Sequence, residues 1–452
     1  MVTTRTQELA KKDLEHFIHP ISPMGQMPKL IIERGDGAQL WDTDGKQYTD
    51  MSSNCVNCGN LGFMRKELND AISEQIQKID HIFAAIPMSN IPAIEYAAEL
   101  AEVLPGDINH VYFGNIGTQA IEAAVSFARL YGEARGADKY KLICLTHAYH
   151  GGSALTRSLS DIGFLGMSGY GHACPGIIRI PNYHCHLCPF GLKYPSCDIL
   201  CARFLETVIE GEKEDSIVAF IAEPIQGANG VVWPPDEYWP IVRKILSDHN
   251  ILLIADEVMN GFCRTGKMFA VEQWNIVPDI ITMSKGINAG YLPLAAVGVS
   301  DKIYKDIVGK YYTLGATSDC NPVVMATGRA ALKIYTGEKL AERSAKLGEH
   351  LHERLVNEFL PLPCVDDVMG RGLYQSFEIA LNKTTGSEFN LDAVAKVRDY
   401  IFNQCLERGV LTCRWDGYPR RQPIGPPLII GEDELDAGLD VMLSVMKEVK
   451  PV

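Results

Sequence analysis

Lys285 is the residue whose surroundings most clearly suggest chemistry. It follows the apolar stretch DIITMS and is followed closely by Gly286 and Gly290. An amine at the end of a buried strand can form a Schiff base with an aldehyde, and glycine allows the backbone to approach a cofactor closely. The competing interpretation is an ordinary surface lysine, because most lysines in proteins are exposed.

Two acids, Asp256 and Glu257, close a second apolar stretch, ILLIA. A carboxylate at such a strand end could hold a proton on the ring nitrogen of a pyridine cofactor, which keeps the ring electron-poor. Alternatively, the two acids do no more than end the strand. Asp256 and Lys285 each follow an apolar strand, and together they indicate a cofactor site more strongly than either residue does alone.

The surrounding elements are expected to position these two side chains. The apolar segments KLICL, SIVAFIA, ILLIA and DIITM alternate with helix-like segments such as DEYWPIVRKILSDHN. This alternation predicts an α/β fold with a mostly parallel sheet, whose strands are apolar throughout because helices cover both faces. Polar residues gather at the carboxyl ends of these strands, where such folds bind ligands.

The chain of 452 residues is long enough for more than one domain. Near its start, LIIERGDGAQLWDTDGKQYTDM alternates apolar and polar residues around turns, which predicts a small antiparallel meander that could pack with the C-terminal region. Beyond about residue 330, two amphipathic helices flank VMGRGLYQSFEIA, which we interpret as a turn and a strand. We predict an N-terminal part of a small α+β domain over 1–70, a large cofactor-binding domain over 71–328 and the rest of the small domain over 329–452.

The net charge of -14 argues against non-specific binding to nucleic acid. The sequence contains no apolar run of the roughly 18 residues that a membrane span needs, and its polar start lacks the apolar centre of a signal peptide. We therefore expect a cytoplasmic protein that does not associate with membranes. The 13 cysteines, an odd number scattered over a long chain, are typical of reduced thiols.

Four longer segments narrow the interpretation: HAYHGG, IAEPIQGANG, IADEVMNGFCRTGKMF and PDIITMSKGINAGYLPLAAV. They resemble the class III aminotransferases, the group of omega-aminotransferases and 4-aminobutyrate aminotransferases, and the resemblance extends from about residue 25 to 445. It implies the fold-type I architecture, with a large domain around a mostly parallel sheet and a smaller α+β domain from both chain ends. It also implies pyridoxal 5′-phosphate as the cofactor.

The resemblance implies roles for individual residues. Lys285 corresponds to the Schiff-base lysine that also moves the proton, and Asp256 to the partner of the pyridine nitrogen. Further cofactor contacts are implied for Val258 beneath the ring, Tyr149 stacked on its other face, His150 beside it, and Glu223 as a buried active-site glutamate. A structural ion pair is the alternative role for Glu223.

The segment FGNIGTQAIEAA is similar to the phosphate-binding segment of the family. Gly117 and Thr118 precede a helix, whose free N–H groups and dipole would hold the phosphate. Ile116 and Gln119 replace the serine and the acid that the family usually has here. The replacements leave a second hydroxyl contact and the O3 side of the ring unassigned.

The segment YYTLGATSDCNPVV resembles one whose threonine reaches the cofactor phosphate of the neighbouring subunit, and Thr317 holds that place. Ser318, Asp319 and Cys320 depart from the common pattern. The resemblance therefore implies a homodimer with a shared active site.

On the substrate side, GYLPL after the lysine and Met259 after Val258 favour the family branch that uses pyruvate as amino acceptor. CRWDGYPRRQPIGPPLII resembles the stretch whose mobile arginine binds the acceptor carboxylate, a group that a guanidinium suits well. Arg414 matches best, Arg420 and Arg421 are rivals, and a solvated basic loop is the alternative.

The predicted pocket wall, SSNCVNCGNLGF, is unusual for the family. Asn57 lies near the place of a bulky aromatic residue, and Phe63 replaces a usual histidine or tyrosine. We interpret the wall as polar and Asn57 as a substrate-binding residue. Such a pocket suits a small polar amine such as taurine or β-alanine.

A cysteine-rich segment, NYHCHLCPFGLKYPSCDILCA, contains Cys185, Cys188, Cys197 and Cys201. Zinc is one alternative for this spacing, but no step of amino-group transfer needs a metal. We predict no metal site and interpret the segment as a turn-rich insertion with reduced thiols.

The function predicted from the sequence is transfer of an amino group from an omega-amino donor to pyruvate or another 2-oxo acid. Two alternatives stay open at this point. One is an amino-acid racemase or epimerase on the same scaffold, which would need no acceptor. The other is a catalytically inactive protein that only binds the cofactor, which intact Lys285, Asp256 and Thr317 disfavour.

Overall fold

The computed structural model describes residues 3–85, 87–136, 138–162, 171–380, 391–414 and 420–449. A seven-stranded sheet forms its centre, in the spatial order β4 (Ile108–Gly114), β10 (Ala295–Ser300), β9 (Ile280–Met283), β8 (Leu252–Asp256), β7 (Ile217–Ala222), β5 (Lys141–Leu145) and β6 (Ile177–Ile180). The pairs from β9 to β6 are parallel, and β10 runs antiparallel to both of its neighbours. The predicted α/β fold with a mostly parallel sheet is confirmed.

The apolar composition of these strands follows from burial on both faces. In β8, Leu252 and Ile254 belong to the cluster that contains helix α4 (Gly117–Ala134), whereas Leu253 and Ala255 belong to the cluster on the other face. Both faces of the strand are therefore removed from water, and no position along it favours a polar residue. The first polar side chain is Asp256, at the carboxyl end of the strand.

Two smaller sheets join the chain ends to the rest of the protein. Strands β1 (Ile32–Asp36), β2 (Gln39–Asp42) and β3 (Gln47–Asp50) form the predicted antiparallel meander, and β13 (Val410–Leu411) pairs in parallel with β3. The third sheet contains β11 (Val365–Arg371), β12 (Tyr374–Ile379) and β14 (Arg421–Ile424). VMGRGLYQSFEIA thus supplies parts of two strands rather than a turn and one strand, with the turn at Gly372, whose φ is +58°.

The other helices surround these sheets. They are α1 (Thr4–His16), α2 (Lys66–Ile76), α3 (Ile91–Ala101), α5 (Ala154–Leu159), α6 (Leu200–Glu212), α7 (Tyr238–Asp248), α8 (Asp301–Ile307), α9 (Pro322–Gly337), α10 (Leu340–Arg354), α11 (Leu391–Glu407) and α12 (Glu432–Glu448). The predicted boundary between residues 328 and 329 falls inside α9, which packs against α2 and α3. The three predicted domain ranges therefore stay a prediction. Within the described part of the chain, no helix is both long and apolar enough to cross a bilayer.

Candidate active site

Lys285 begins a short 3₁₀ turn just beyond the end of β9. Its backbone φ is +44°, a left-handed conformation that is strained for a residue with a side chain. Burial lowers the pKa of the Lys285 amine, although the thiol of Cys58 and the carboxylates of Glu223 and Asp256 act in the opposite direction. A lowered pKa increases the neutral fraction of the amine, and the neutral form is the one that attacks an aldehyde.

Asp256 and His150 form a buried pair beside Lys285. The Nδ1–H of His150 donates to Oδ2 of Asp256 over 2.7 Å, and both residues are almost fully buried. Oδ1 of Asp256 accepts from the backbone N–H of Val258 over 3.1 Å. The carboxylate is thus fixed from two directions, as is needed to stabilise a protonated ring nitrogen.

These residues line one cavity of about 160 Å³. Its wall consists of Ile116, Gly117, Thr118, Tyr149, His150, Gly151, Glu223, Asp256, Val258, Met259, Ser284 and Lys285. The fold therefore brings together every cofactor contact predicted from the sequence except Thr317. The roles of the individual residues stay predictions.

The wall of the cavity also contains the beginning of α4. The residue before this helix, Ile116, makes no side-chain cap, so the first backbone N–H groups of α4 lack the usual capping partner. A Cβ on Gly117 would lie 3.2 Å from Val258, and one on Gly151 would lie 2.5 Å from the hydroxyl of Thr118. Two glycines thus keep the space beside the helix terminus open, and this space can accept a phosphate group.

Glu223 is the second buried carboxylate of the cavity. Its Oε1 accepts from the backbone N–H of Tyr149 over 3.1 Å, and its Oε2 from that of Gly227 over 2.8 Å. Burial raises the pKa of Glu223 to about 7, and the negative charge of Asp256 adds to the effect. Both of these hydrogen bonds come from backbone groups, so they do not support the alternative role of a structural ion pair.

The residues present fit pyridoxal phosphate. The cavity combines a buried amine, an uncapped helix N-terminus and a fixed carboxylate, which match the aldehyde, the phosphate and the ring nitrogen of that cofactor. Tyr149 and Val258 add flat and apolar surface to the same cavity.

Thr317 lies outside this cavity and is exposed to solvent. It belongs to the loop that precedes α9. Within one chain, the structure does not bring this threonine to the residues around Lys285. Its predicted contact with the phosphate of a partner subunit stays a prediction.

The three candidate arginines differ in their surroundings. Arg421 is fully buried, and its Nη1 lies 2.8 Å from Asp367 and 3.1 Å from Glu378, so internal acids already neutralise its charge. Arg414 is a third exposed, and its Nε donates to Asp399 over 2.7 Å. Arg420 is half-buried at the edge of the undescribed residues 415–419. Arg414, whose partner is a partly exposed acid, can exchange that partner for a substrate carboxylate more readily than the fully buried Arg421 can.

Asn57 is buried and does not line the cavity around Lys285. Among the described residues its Oδ1 has no hydrogen-bond partner, and it lies against Gly425, where a Cβ would approach within 2.0 Å. The predicted substrate contact of Asn57 therefore stays a prediction that the lining of the cavity does not support.

Sequence reasoning missed Arg264, although the segment GFCRTG contains it. Its buried guanidinium donates to Ser53 over 3.0 Å, to Asn60 over 2.6 Å, and to the carbonyl of Leu373 over 3.2 Å. It thus joins the N-terminal region and the β11–β12 turn to the large sheet. A single arginine in a glycine-containing segment gives no sequence signal for partners so distant along the chain.

The four cysteines of the predicted insertion line one small cavity together with His184. All four are free thiols. Among the described residues, no group of three or more His, Cys, Asp or Glu side chains is arranged to hold a metal ion. The expectation that this segment binds no metal stays a prediction, which metal analysis of the purified protein can test.

The chain belongs to a known enzyme family. The sequence model of the family described as aminotransferase class-III matches residues 21–446, which confirms the resemblance, the aminotransferase activity class and pyridoxal phosphate as the cofactor.

Individual relatives are of similar length and fold. The chain is 30% identical to putrescine–pyruvate aminotransferase of Pseudomonas aeruginosa over 96% of this chain and 95% of that protein. It is 30% identical to taurine–pyruvate aminotransferase of Bilophila wadsworthia over 98% of each. The crystal structure of an (S)-enantioselective omega-transaminase from Thermomicrobium roseum superposes with a TM-score of 0.91, covers 99% of each chain and is 33% identical, which confirms the fold class.

Proposed function

We propose that this enzyme moves an amino group from a small omega-amino donor to pyruvate or another 2-oxo acid. The observation that carries the proposal is the convergence of the Lys285 amine, the Asp256–His150 pair and the N-terminus of α4 on one cavity. Bound pyridoxal phosphate supplies the aldehyde that takes up the amino group and a ring that spreads the negative charge left on the substrate.

Lys285 performs two tasks in the proposed mechanism. Its amine would hold the coenzyme through the aldehyde carbon until the amine of the donor takes its place. The free amine of Lys285 would take the proton from the donor carbon that bears the amino group and would deliver it to the former aldehyde carbon of the cofactor, on the other side of the shared nitrogen. The lowered pKa of Lys285 favours this role, because only the neutral amine can accept a proton.

Asp256 keeps a proton on the ring nitrogen, and His150 keeps Asp256 in place. The hydrogen bond from His150 Nδ1 orients the carboxylate and leaves its negative charge available to the ring. The positive charge on the ring nitrogen is what makes loss of the Cα proton energetically accessible. Tyr149 and Val258, which line the same cavity, would contact the two faces of the ring.

The identities of the amino acceptor and the amino donor are also part of the proposal. Met259 in the cavity wall and the segment GYLPL favour pyruvate, and two relatives carry pyruvate in their names. Arg414 would bind the acceptor carboxylate after leaving Asp399. Small polar amines such as taurine or β-alanine remain the proposed donors.

The proposal includes a homodimer and a cytoplasmic location. The solvent-exposed position of Thr317, outside the cavity of its own chain, supports a contact across a subunit interface. No contact with nucleic acid or with a membrane is part of the proposed activity.

A panel of amines tested against pyruvate and 2-oxoglutarate examines this function directly. Each donor is mixed with the coenzyme-loaded enzyme, and loss of the visible absorption of the lysine-bound coenzyme reports the first half of the reaction. We expect an omega-amine to bleach this band and pyruvate to restore it, with Lys285→Ala inactive in both steps. Scrambling of an amino acid's α centre without any half-transfer would favour the racemase instead.

A further inference from the structure

Asp319 ties the loop that carries Thr317 to the phosphate-binding turn before α4. Its carboxylate is buried, with 8% of the residue exposed. Oδ2 accepts from the hydroxyl of Tyr112 over 2.7 Å and from the N–H of Ala316 over 2.8 Å. Oδ1 accepts from the side-chain amide of Asn115 over 2.6 Å. One carboxylate thus joins its own loop to β4 and to the turn that follows β4.

Gln119 completes this connection from the first turn of α4. Its Nε2 lies 2.9 Å from Oδ1 and 2.8 Å from Oδ2 of Asp319. Its Oε1 accepts from the backbone N–H of Asn115 over 2.9 Å. The amide therefore uses both of its ends, one on the loop and one on the turn whose neighbours Gly117 and Thr118 line the cavity.

With an amide at position 119, Asp319 is the one charged group among the described residues of this cluster. The hydrogen-bond donors to Asp319 are a hydroxyl, two amides and a backbone N–H, all of them neutral. A glutamate at 119 would place a second carboxylate within hydrogen-bond distance of Asp319, where two like charges repel strongly. Gln119 and Asp319, both departures from the common family pattern, are thus partners of each other.

We propose that Gln119 and Asp319 are a pair of positioning residues that hold the Thr317 loop and the phosphate-binding turn as one unit. The hydrogen bonds between the amide of Gln119 and the carboxylate of Asp319 then influence the affinity of the protein for the coenzyme phosphate. This proposal rests on the proposed function, because it requires the phosphate to lie at the N-terminus of α4.

The test measures the dissociation constant of pyridoxal phosphate for the wild-type protein and its variants, by protein fluorescence and by the visible band. We expect Gln119→Glu to weaken binding about tenfold at alkaline pH, the size of effect expected for an uncompensated buried charge. Gln7→Glu, which adds the same charge on the exposed face of α1, is the matched control and should bind as wild type does.

The double variant Gln119→Glu with Asp319→Asn exchanges the amide and the carboxylate. We expect it to bind pyridoxal phosphate within about threefold of wild type, because one charge and one amide face each other again. Tyr112→Phe, which removes one neutral donor and adds no charge, should weaken binding about threefold and serves if Gln119→Glu does not fold.

The outcomes separate the two proposals. A wild-type protein that fails to bind the coenzyme contradicts the proposed function itself. If the wild-type protein binds the coenzyme, two results would overturn the pairing of these two residues. One is a Gln119→Glu variant that binds as tightly as wild type. The other is a double variant that binds no more tightly than Gln119→Glu. If Gln119→Glu fails to fold, wild-type affinity in Tyr112→Phe overturns the pairing in the same way.

Discussion

The two ends of the candidate active site are built differently. At the cofactor end, Asp256, His150 and Glu223 are buried and hydrogen-bonded to neighbours within the large sheet region. At the proposed substrate end, Arg414 does not line the cavity around Lys285; it is partly exposed and paired with Asp399, and residues 415–419 next to it lie outside the described part of the chain. A group that stays bound through the whole reaction suits fixed contacts. The donor and the acceptor bind one after the other, and a side chain that can change its hydrogen-bond partner suits such alternating binding.

The largest effect is expected at the fixed end. Asp256→Asn keeps the shape of the side chain but removes the charge that we propose holds the proton on the ring nitrogen. We expect the rate constant of the half-reaction to fall by about 10²–10³-fold, the cost typical of losing one preorganised charge contact. Stopped-flow absorbance with a fast donor measures this rate.

The control for this variant is Asp399→Asn, which removes a carboxylate at the adaptable end. A half-reaction rate within a few-fold of wild type in Asp256→Asn, with the coenzyme still bound, would contradict the role assigned to Asp256. Equal reductions of the half-reaction rate in Asp256→Asn and Asp399→Asn would contradict the proposed difference between the two ends.

Glu223 gives a prediction for stability as a function of pH. Its pKa of about 7 lies above the ordinary value of 4.5, so the folded state prefers the protonated acid. This contribution to stability is fully present below about pH 4.5 and is lost as the pH rises through about 7. Relative to Glu223→Gln, the wild-type protein should lose on the order of 3 kcal/mol over that range.

Urea unfolding of the two coenzyme-free proteins at several pH values measures this difference. Asp399→Asn, which alters a partly exposed acid, is again a suitable control. A constant difference between wild type and Glu223→Gln across the range would show that Glu223 titrates as an ordinary carboxylate.

The smallest effects are expected at the adaptable end. Asp399→Asn should lower KM for pyruvate about twofold, because the acceptor no longer competes with a partly exposed ion pair for Arg414. Arg414→Lys should raise this KM severalfold, on the order of the loss expected when a bidentate contact becomes a single one. Steady-state kinetics with pyruvate varied at a saturating donor concentration gives both values.

Arg420→Lys serves as the matched control for these two variants. It should leave the KM for pyruvate unchanged if Arg414 is the acceptor-binding residue. A selective increase in Arg420→Lys, with Arg414→Lys at the wild-type value, would transfer the role to Arg420.

The sequence predicted the elements whose signals are local. The apolar runs before Asp256 and Lys285 are buried strands because both faces of the central sheet are covered, and that condition is visible in composition alone. Because the carboxyl ends of neighbouring parallel strands lie at the same edge of the sheet, the sequence also predicted that Asp256 and Lys285 lie at one ligand site. The family and its cofactor were also predicted from these segments, and the match over residues 21–446 confirms both.

Contacts between distant residues could not be predicted in the same way. Arg421, a rival candidate for the acceptor carboxylate, lies beside Asp367 and Glu378, which are 54 and 43 residues away in the chain. The partner of Gln119 lies 200 residues away, on the Thr317 loop. Such pairings depend on how separate elements pack, and no single segment of sequence encodes them.

The central claim is that the amine of Lys285 carries the coenzyme. Borohydride reduction of the coenzyme-loaded protein converts this linkage to a stable bond, and peptide mapping by mass spectrometry then locates it. The account predicts a single labelled peptide that contains Lys285, with no label in Lys285→Ala. Labelling of a different lysine in the wild-type protein, or none at all, would contradict it.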